Sequence, residues 1–503
     1  MSGTVEVTTA DGAVRGVRGR RVLRWRSIPY AAPPVGDLRF RAPHPPCPWD
    51  GVRDATEFGF AAMQHKDGPR LGVRRYQPTD EDALTLNVTA PVAESPSPRP
   101  VMVFIHGGGY LTGSSAVPLY SGARLAVRGD VVVVSMNYRL GAFGYVDFGE
   151  FGSPERAFES NLGLRDQIAA LRWVRANIAA FGGDPGNVTV FGESAGANAV
   201  LALLASPAAE GLFHRAIAQS PPAGWALTPE EARAFARRCV DALGVAPSEA
   251  TDALIKLPAN EIRRTVARVF DAGADEWPGV FPICPVVDGE LLPLAPVDAM
   301  AAGVAHPLPL IIGTNRDEGT LFDGAAGKLP TNEPRLRKIL GEVSADARSR
   351  VLAAYPGFPD PKVAVRMGGD YVFWRPTVAA MEGHSRHAPT YAYRYDFAPR
   401  LLHLTGYGAT HASELVPVFG YVDGPIGRTL TALGGGAALR AVSHQFQDNW
   451  LSFARTGTPL PTWPAYTEDS RTTLIIDAHT HLESDPDHPQ RLAWSGFRTP
   501  TLT

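Results

Sequence analysis

Five residues, Gly192-Glu193-Ser194-Ala195-Gly196, constrain this chain more than any others. They fit the pattern Gly-x-Ser-x-Gly, and their surroundings give the pattern its meaning. Asn187-Val188-Thr189-Val190-Phe191 in front is short and β-branched, while Ala197-Asn198-Ala199-Val200-Leu201-Ala202-Leu203-Leu204 behind is rich in helix formers, so the stretch reads strand, sharp turn, helix. A serine at the tip of such a turn sits in a strained backbone conformation. Small residues must then stand two positions away on either side, because a Cβ there would collide with the neighbouring strand or helix. Ser194 is therefore expected at the carboxyl edge of a sheet, with the amino terminus of its own helix favouring negative charge at the reacting centre.

The rest of the chain supplies the sheet. Val5-Glu6-Val7-Thr8-Thr9 alternates like a half-exposed strand, and Asp11-Gly12 turns it into a second one around Val14, which predicts an antiparallel edge. Ile28-Pro29-Tyr30-Ala31-Ala32-Pro33-Pro34-Val35-Gly36 reads as a rigid extended segment on the surface, since its prolines remove donors and fix φ. Leu84 to Val88, the apolar run Pro100 to Ile105, Val131 to Ser135, Ala216 to Ser220, Leu308 to Gly313 and Tyr391 to Tyr395 read as strands, and Leu474-Ile475-Ile476-Asp477 as the last of the series. Leu164, Ile168, Leu171, Val174 and Ile178 recur on one helical face, and the Glu/Ala/Arg-rich region from about Glu230 to Arg268 is helical without buried-strand signals. Strands interleaved with helices predict an α/β fold with a mainly parallel, twisted sheet.

A serine hydroxyl is a weak nucleophile at neutral pH. It needs a base, the base needs a carboxylate, and the developing oxyanion needs donors. His106-Gly107-Gly108-Gly109-Tyr110 follows a buried strand, and three consecutive glycines there suit a loop whose amides, with that of Ala195, approach the reacting oxygen. Asn315-Arg316-Asp317-Glu318-Gly319 puts two acids at a carboxyl edge, and either satisfies the residue pattern. Among the downstream histidines, His411 stands out because Gly408-Ala409-Thr410 makes a small-residue loop before it. Asp477, His479 and His481 mimic metal-ligand spacing, but nothing else in the chain resembles a zinc site, so no metal is expected.

Composition excludes other classes. At 45% hydrophobic and 20% charged residues, with a net charge of −3, the chain gives no reason to expect nucleic acid or an anionic membrane as partner, and a basic cluster would read as a solvated face. No apolar run approaches the roughly 20 residues of a membrane span. Three cysteines, Cys47, Cys239 and Cys284, and the absence of a charged-then-apolar leader at Met1 to Val5 point to the cytoplasm.

Taken together, these segments resemble the type-B carboxylesterase and cholinesterase-like family of α/β hydrolases over nearly the whole chain. The resemblance is carried by Ile28 to Gly36, Glu81-Asp82-Ala83-Leu84-Thr85-Leu86-Asn87-Val88, His106 to Gly109 and Asn137-Tyr138-Arg139-Leu140-Gly141. It continues through Phe181-Gly182-Gly183-Asp184-Pro185, the Ser194 pentapeptide, Asp317-Glu318-Gly319, His411 to Gly420 and Phe453-Ala454-Arg455-Thr456-Gly457. It implies one α/β-hydrolase domain over residues 1–503, with helical insertions around 226–300 and 325–385, and Ser194 as nucleophile, Glu318 as acid and His411 as base. It further implies Gly108, Gly109 and Ala195 as oxyanion donors and Glu193 and Ser220 as supports beside the triad. The family often carries cysteines where this chain has Met63 and Ala83, and where cholinesterases place a tryptophan for a substrate cation the chain offers only Tyr76 beside Arg74 and Arg75.

The reading is a serine hydrolase that cleaves a small-molecule carboxylic ester through an acyl-enzyme, without a cofactor, as monomer or homodimer. Its rivals are an amidase or carbamate hydrolase using the same residues, and a binding module that keeps the fold without catalysis; such modules lack a triad member. Tyr110, Trp225, Trp277, Phe281, Phe373 and Trp374 are the candidate pocket walls.

Overall fold

The computed structural model describes residues 3–64, 77–324 and 327–497. Its centre is a run of seven parallel strands, in spatial order Val132–Met136, Arg99–Ile105, Gly183–Glu193, Arg215–Gln219, Leu310–Asn315, Thr390–Tyr395 and Thr472–Ile476. Antiparallel strands flank it. Thr85–Pro91, Val22–Pro29, Ala13–Arg18 and Gly3–Thr8 extend one side, and His481–Ser484 pairs with Thr472–Ile476 on the other. The result is a large mixed sheet flanked by helices, an α/β-hydrolase architecture.

The continuous apolar run Val101 to Ile105 shows why the middle strands are parallel and buried. Val101, Val103 and Ile105 point to one face, where they share a core with Leu164, Ile168, Leu171 and Val174 of the helix Leu162–Asn177 and with the helix Ala195–Ala205. Met102 and Phe104 point to the other, against Leu439, Val442, Phe446 and Trp450 of the helix Gly436–Thr456. Both faces are covered, so the strand carries no polar alternation.

Two expectations are corrected here. Ile28, Pro29, Tyr30 and Ala31 are buried rather than on the surface. Pro29 ends the strand Val22–Pro29, where a missing donor is tolerated, and the Tyr30 hydroxyl donates to Asn137 O at 2.7 Å. Leu474 to Asp477 is not the last strand, because Thr480 and the residues around it turn the chain back into the exposed edge strand His481–Ser484.

Helices fill the long intervals. Pro229–Leu243, Ala250–Lys256 and Ala259–Glu276 lie within 226–300 and Pro296–Ala301 reaches its end, and Glu333–Gly341, Ala345–Ala354, Pro361–Gly369 and Arg375–Ser385 lie within the described part of 325–385. The first begins with a capping box in which Thr228 Oγ1 accepts from Glu231 N and the Glu231 carboxylate accepts from Thr228 N. Arg39 fastens this region to the body of the protein. Its guanidinium forks onto Glu81 and donates to the carbonyls of Leu254, Ile255 and Leu257, which gives the Glu81 segment a structural purpose. No described helix is long and apolar enough to cross a membrane.

Candidate active site

The turn at Ser194 has the strain its sequence calls for. Gly183–Glu193 ends directly before it, Ala195–Ala205 begins directly after it, and Ser194 itself stands at φ 57°, ψ −127°. A conformation so rare for a side-chain-bearing residue is held by its surroundings. Ser194 N donates to Gln219 O at 2.9 Å. A Cβ on Gly196 would lie 2.1 Å from Ile105 O, and one on Gly192 would lie 2.5 Å from Gly196 C, so both flanking positions admit only glycine.

Glu318 and Asp317, adjacent in sequence, do different things. Glu318 opens a short 3-10 turn behind the strand Leu310–Asn315, is buried, and accepts from Asn315 N at 2.7 Å through Oε1. Its Oε2 lies 2.5 Å from His411 Nδ1, the geometry of a charge-assisted hydrogen bond. Asp317 Oδ2 instead accepts from Ala409 N at 2.9 Å, holding the loop that carries His411. Asn315 Nδ2 ties the same loop down by donating to Thr410 O at 2.8 Å.

His411 Nε2 lies 3.1 Å from Glu193 Oε1 but forms no hydrogen bond among the described residues. Gly107 packs against Glu193 and the serine: a Cβ there would meet Glu193 O at 2.6 Å, Glu193 Oε2 at 2.8 Å and Ser194 Cβ at 2.9 Å. Ser194, Glu193, His411, Glu318 and Gly107 thus form one contiguous buried cluster. The Phe373 and Phe322 rings cover the imidazole, with centroids 4.4 Å and 5.2 Å away.

A third buried carboxylate belongs to this cluster. Glu414 accepts from Gln219 Nε2 at 3.3 Å and from Asn315 Nδ2 at 2.6 Å. Burial, outweighing the opposing pull of His411, pushes Glu193 up to about 8, and burial together with Glu318 pushes Glu414 up to about 7. For His411, burial acts downward, but Glu193 and Glu318 prevail and raise it to about 9. Ser220 stands at the next strand's end with φ 49°, its N–H donating to Gly313 O at 2.8 Å and its Oγ buried without a hydrogen bond among the described residues. Glu414, Gln219, Asn315 and Phe322 escaped the sequence reading. Glu414 carried a signal, three residues after His411 inside a matched segment.

The glycine loop is a preformed turn. Gly108, Gly109 and Tyr110 have φ of 111°, 62° and 56°, and Gly108 O accepts from Leu111 N and Thr112 N. The N–H groups of Gly108, Gly109 and Ala195 donate to no acceptor among the described residues. The segment Asn137 to Gly141 buttresses the loop: Tyr138 OH donates to His106 O at 2.6 Å, and Gly141 N donates to Tyr110 O at 2.7 Å. Arg139 in turn forks onto the fully buried Asp166. His106, stacked 4.6 Å from Tyr138, is held neutral by burial, which lowers it to about 4.

The six candidate wall residues separate. Trp225 stacks on Phe281 at 3.8 Å, and the Phe281 ring edge reaches within 3.2 Å of where a Gly109 Cβ would be, so this pair flanks the loop. Phe373 lies on His411. Tyr110 is fully buried with its hydroxyl donating to Asn198 Oδ1 at 2.5 Å. Trp277 packs on Gly273 beneath the Arg238 guanidinium at 4.0 Å, and Trp374 lines a separate 710 Å³ cavity with Gly224 and Trp494. Met63 and Ala83 are buried in the core, Tyr76, Arg74 and Arg75 lie outside the described residues, and His481 is exposed, with its Nδ1 3.0 Å from His479 O.

The sequence matches the Carboxylesterase family over residues 3–348 and 360–494. It is 40% identical over 492 residues to the para-nitrobenzyl esterase of Bacillus subtilis strain 168, covering 96% of this chain and 97% of that protein. It is 35% identical over 499 residues to the phenmedipham hydrolase of Pseudarthrobacter oxydans, covering 95% and 97%. The structure superposes on the crystal structure of a Geobacillus stearothermophilus carboxylesterase with a TM-score of 0.84 at 38% identity, over 97% of this chain and 100% of that one.

Proposed function

The chain belongs to the carboxylesterase family and is a serine hydrolase of carboxylic esters, and from that premise we propose that Ser194, His411 and Glu318 carry the reaction. His411 Nε2 takes the Ser194 proton as Oγ attacks the ester carbonyl, while Glu318 fixes the tautomer through Nδ1–H and stabilises the imidazolium. The N–H groups of Gly108, Gly109 and Ala195 receive the oxyanion. Each such donor is worth about 2.7 to 4 kcal/mol of transition-state stabilisation. The imidazolium then returns its proton to the departing alcohol oxygen, and water repeats the sequence on the acyl-serine.

His411 must be neutral to act as base. Glu193 faces Nε2 from 3.1 Å, and its charge state sets how readily the imidazolium gives up its proton: an ionised Glu193 holds that proton on His411, and a protonated one leaves Nε2 free. That is the part assigned to Glu193, with Ser220 beside it.

Trp225 and Phe281 form the apolar wall beside the glycine loop, which suits a small ester with an apolar group. Free thiols at Cys47, Cys239 and Cys284 support a cytoplasmic setting. The helical segments within 226–300 and 325–385 belong in this reading to one catalytic domain.

The 2.5 Å contact between Glu318 Oε2 and His411 Nδ1, with Nε2 left without a hydrogen-bond partner among the described residues, carries the assignment. A fluorophosphonate probe tests it. Labelling should map to the peptide bearing Ser194 and abolish nitrophenyl and para-nitrobenzyl ester hydrolysis in proportion; labelling elsewhere, or persistent hydrolysis after complete labelling, overturns it.

A further inference from the structure

A second concave site lies where no catalytic residue lines it. A groove of 700 Å³ is bounded by Arg20, Arg21, Arg24, Arg124, Arg128 and Arg440, with Asp423 as its one acidic lining residue. These arginines come from three distant stretches: the entry to the strand Val22–Pro29, the helix Ala123–Gly129 and the helix Gly436–Thr456. Three of them lie in one arginine-rich run, Arg18 to Arg26, and folding brings the other three to it in a chain whose formal net charge is −3.

The local acids neutralise only part of this charge. Asp448 engages Arg128 at 2.7 Å. Asp423 is shared loosely between Arg124 at 3.8 Å and Arg440 at 3.4 Å. Arg20, Arg21 and Arg24 have no carboxylate partner among the described residues. Arg24 is the telling one, because it lines the groove half-buried, where burial and the neighbouring Arg26 disfavour its charge more than Tyr421 favours it. A cation kept there without a counter-charge is unfavourable in the empty protein, and an anion would relieve it. The opposite wall is shaped to come close: Gly420, at φ 69°, leaves room for Arg124 Cδ and Gln447 Nε2 at 3.2 and 2.5 Å from where a Cβ would stand.

We propose that this groove binds a compact, multiply charged phosphate compound. Guanidinium forks match phosphate oxygens in pairs, and several converging on one concavity select a ligand with more than one phosphate over a single carboxylate or sulfate. The concavity favours a small ligand that enters it over a flat or rod-like surface. The ligand would touch the end of the segment from His411 to Gly420, while sharing no residue with the serine site.

Calorimetric titration of the full chain with inorganic tripolyphosphate tests this. One site per chain is expected, with affinity falling as sodium chloride is raised. The double variant R24Q/R124Q should bind at least about tenfold more weakly, since each lost fork removes charge-assisted hydrogen bonds. Its kcat and KM on a nitrophenyl ester should equal those of the parent, and R440Q, altered only at an exposed position, should give an intermediate loss should the double variant fold poorly. Displacement of tripolyphosphate by phosphatidylglycerol vesicles would overturn the proposal, because a flat surface of single phosphates would then fill the site as well as a compact polyphosphate. Binding no tighter than sulfate at matched ionic strength, unchanged binding in both variants, or tighter capture of short duplex DNA would overturn the proposal.

Discussion

His411 Nε2 lies 3.1 Å from Glu193 Oε1 without hydrogen-bond alignment, so the residue beside the serine acts on the base through charge alone. This fixes the sign of a pH effect. An ionised Glu193 stabilises the imidazolium and raises His411, and a protonated His411 cannot accept the serine proton. Glu193→Gln removes that support, lowers the imidazole pKa, and increases the neutral fraction at any pH below it. The acid limb of kcat/KM against pH should therefore move down by about one to two units. An acid limb that stays in place would show that Glu193 does not tune the base.

Glu318 and Asp317 offer a second test because they are neighbours with separate contacts. Glu318→Gln keeps the shape but leaves Nδ1 without an anion, and kcat should fall by about 10⁴ with little change in KM, the size seen when a triad acid becomes an amide. Asp317→Asn loosens only the support of Ala409 N and should cost far less. Parallel kinetics of the two variants settle the matter; equal losses would contradict the assignment.

Gly107 admits no side chain. A methyl group there would meet Glu193 O at 2.6 Å and Ser194 Cβ at 2.9 Å, and both are fixed by the strained turn. Gly107→Ala should push the serine out of line and reduce kcat by about 10² or more, in proportion to an ångström-scale misplacement. Circular dichroism and a melting curve alongside the kinetics separate this from unfolding. Full activity in a folded variant would mean the turn yields more easily than its packing indicates.

The serine turn and the strands leading to it were legible because steric exclusion writes itself into the sequence: Gly192 and Gly196 must be glycine, and Val101 to Ile105 must be apolar on both faces. The choice between Asp317 and Glu318 came only from the family resemblance and not from the residues themselves, since neighbouring side chains at the start of a 3-10 turn diverge by geometry that residue types do not record. Ile28 to Ala31 misled because proline argues about missing donors, not about side-chain burial, and Tyr30 buries its ring by donating to Asn137 O. Glu414 joins the cluster only through Gln219 and Asn315, roughly a hundred residues or more away in each case, and the arginine groove likewise arises from segments that only tertiary packing brings together.

Trp225 and Trp277 looked equivalent in the sequence and differ in place, which makes them a matched pair for the pocket. Trp225 is half-exposed, stacked at 3.8 Å on Phe281 beside Gly109, whereas Trp277 is covered by Arg238 over the helix Ala259–Glu276. Trp225→Ala removes one aromatic face next to the glycine loop, at a stability cost of about 0.5–1.5 kcal/mol for the lost pair beyond its area burial. The space opened should shift the optimum of kcat/KM across nitrophenyl esters toward longer acyl chains, each added methylene gaining about 0.8 kcal/mol where it is newly buried. Trp277→Ala should lower the melting temperature and leave the chain-length profile where it was. Coincident profiles for the two variants would remove Trp225 from the substrate wall and return the Phe281 stack to ordinary packing.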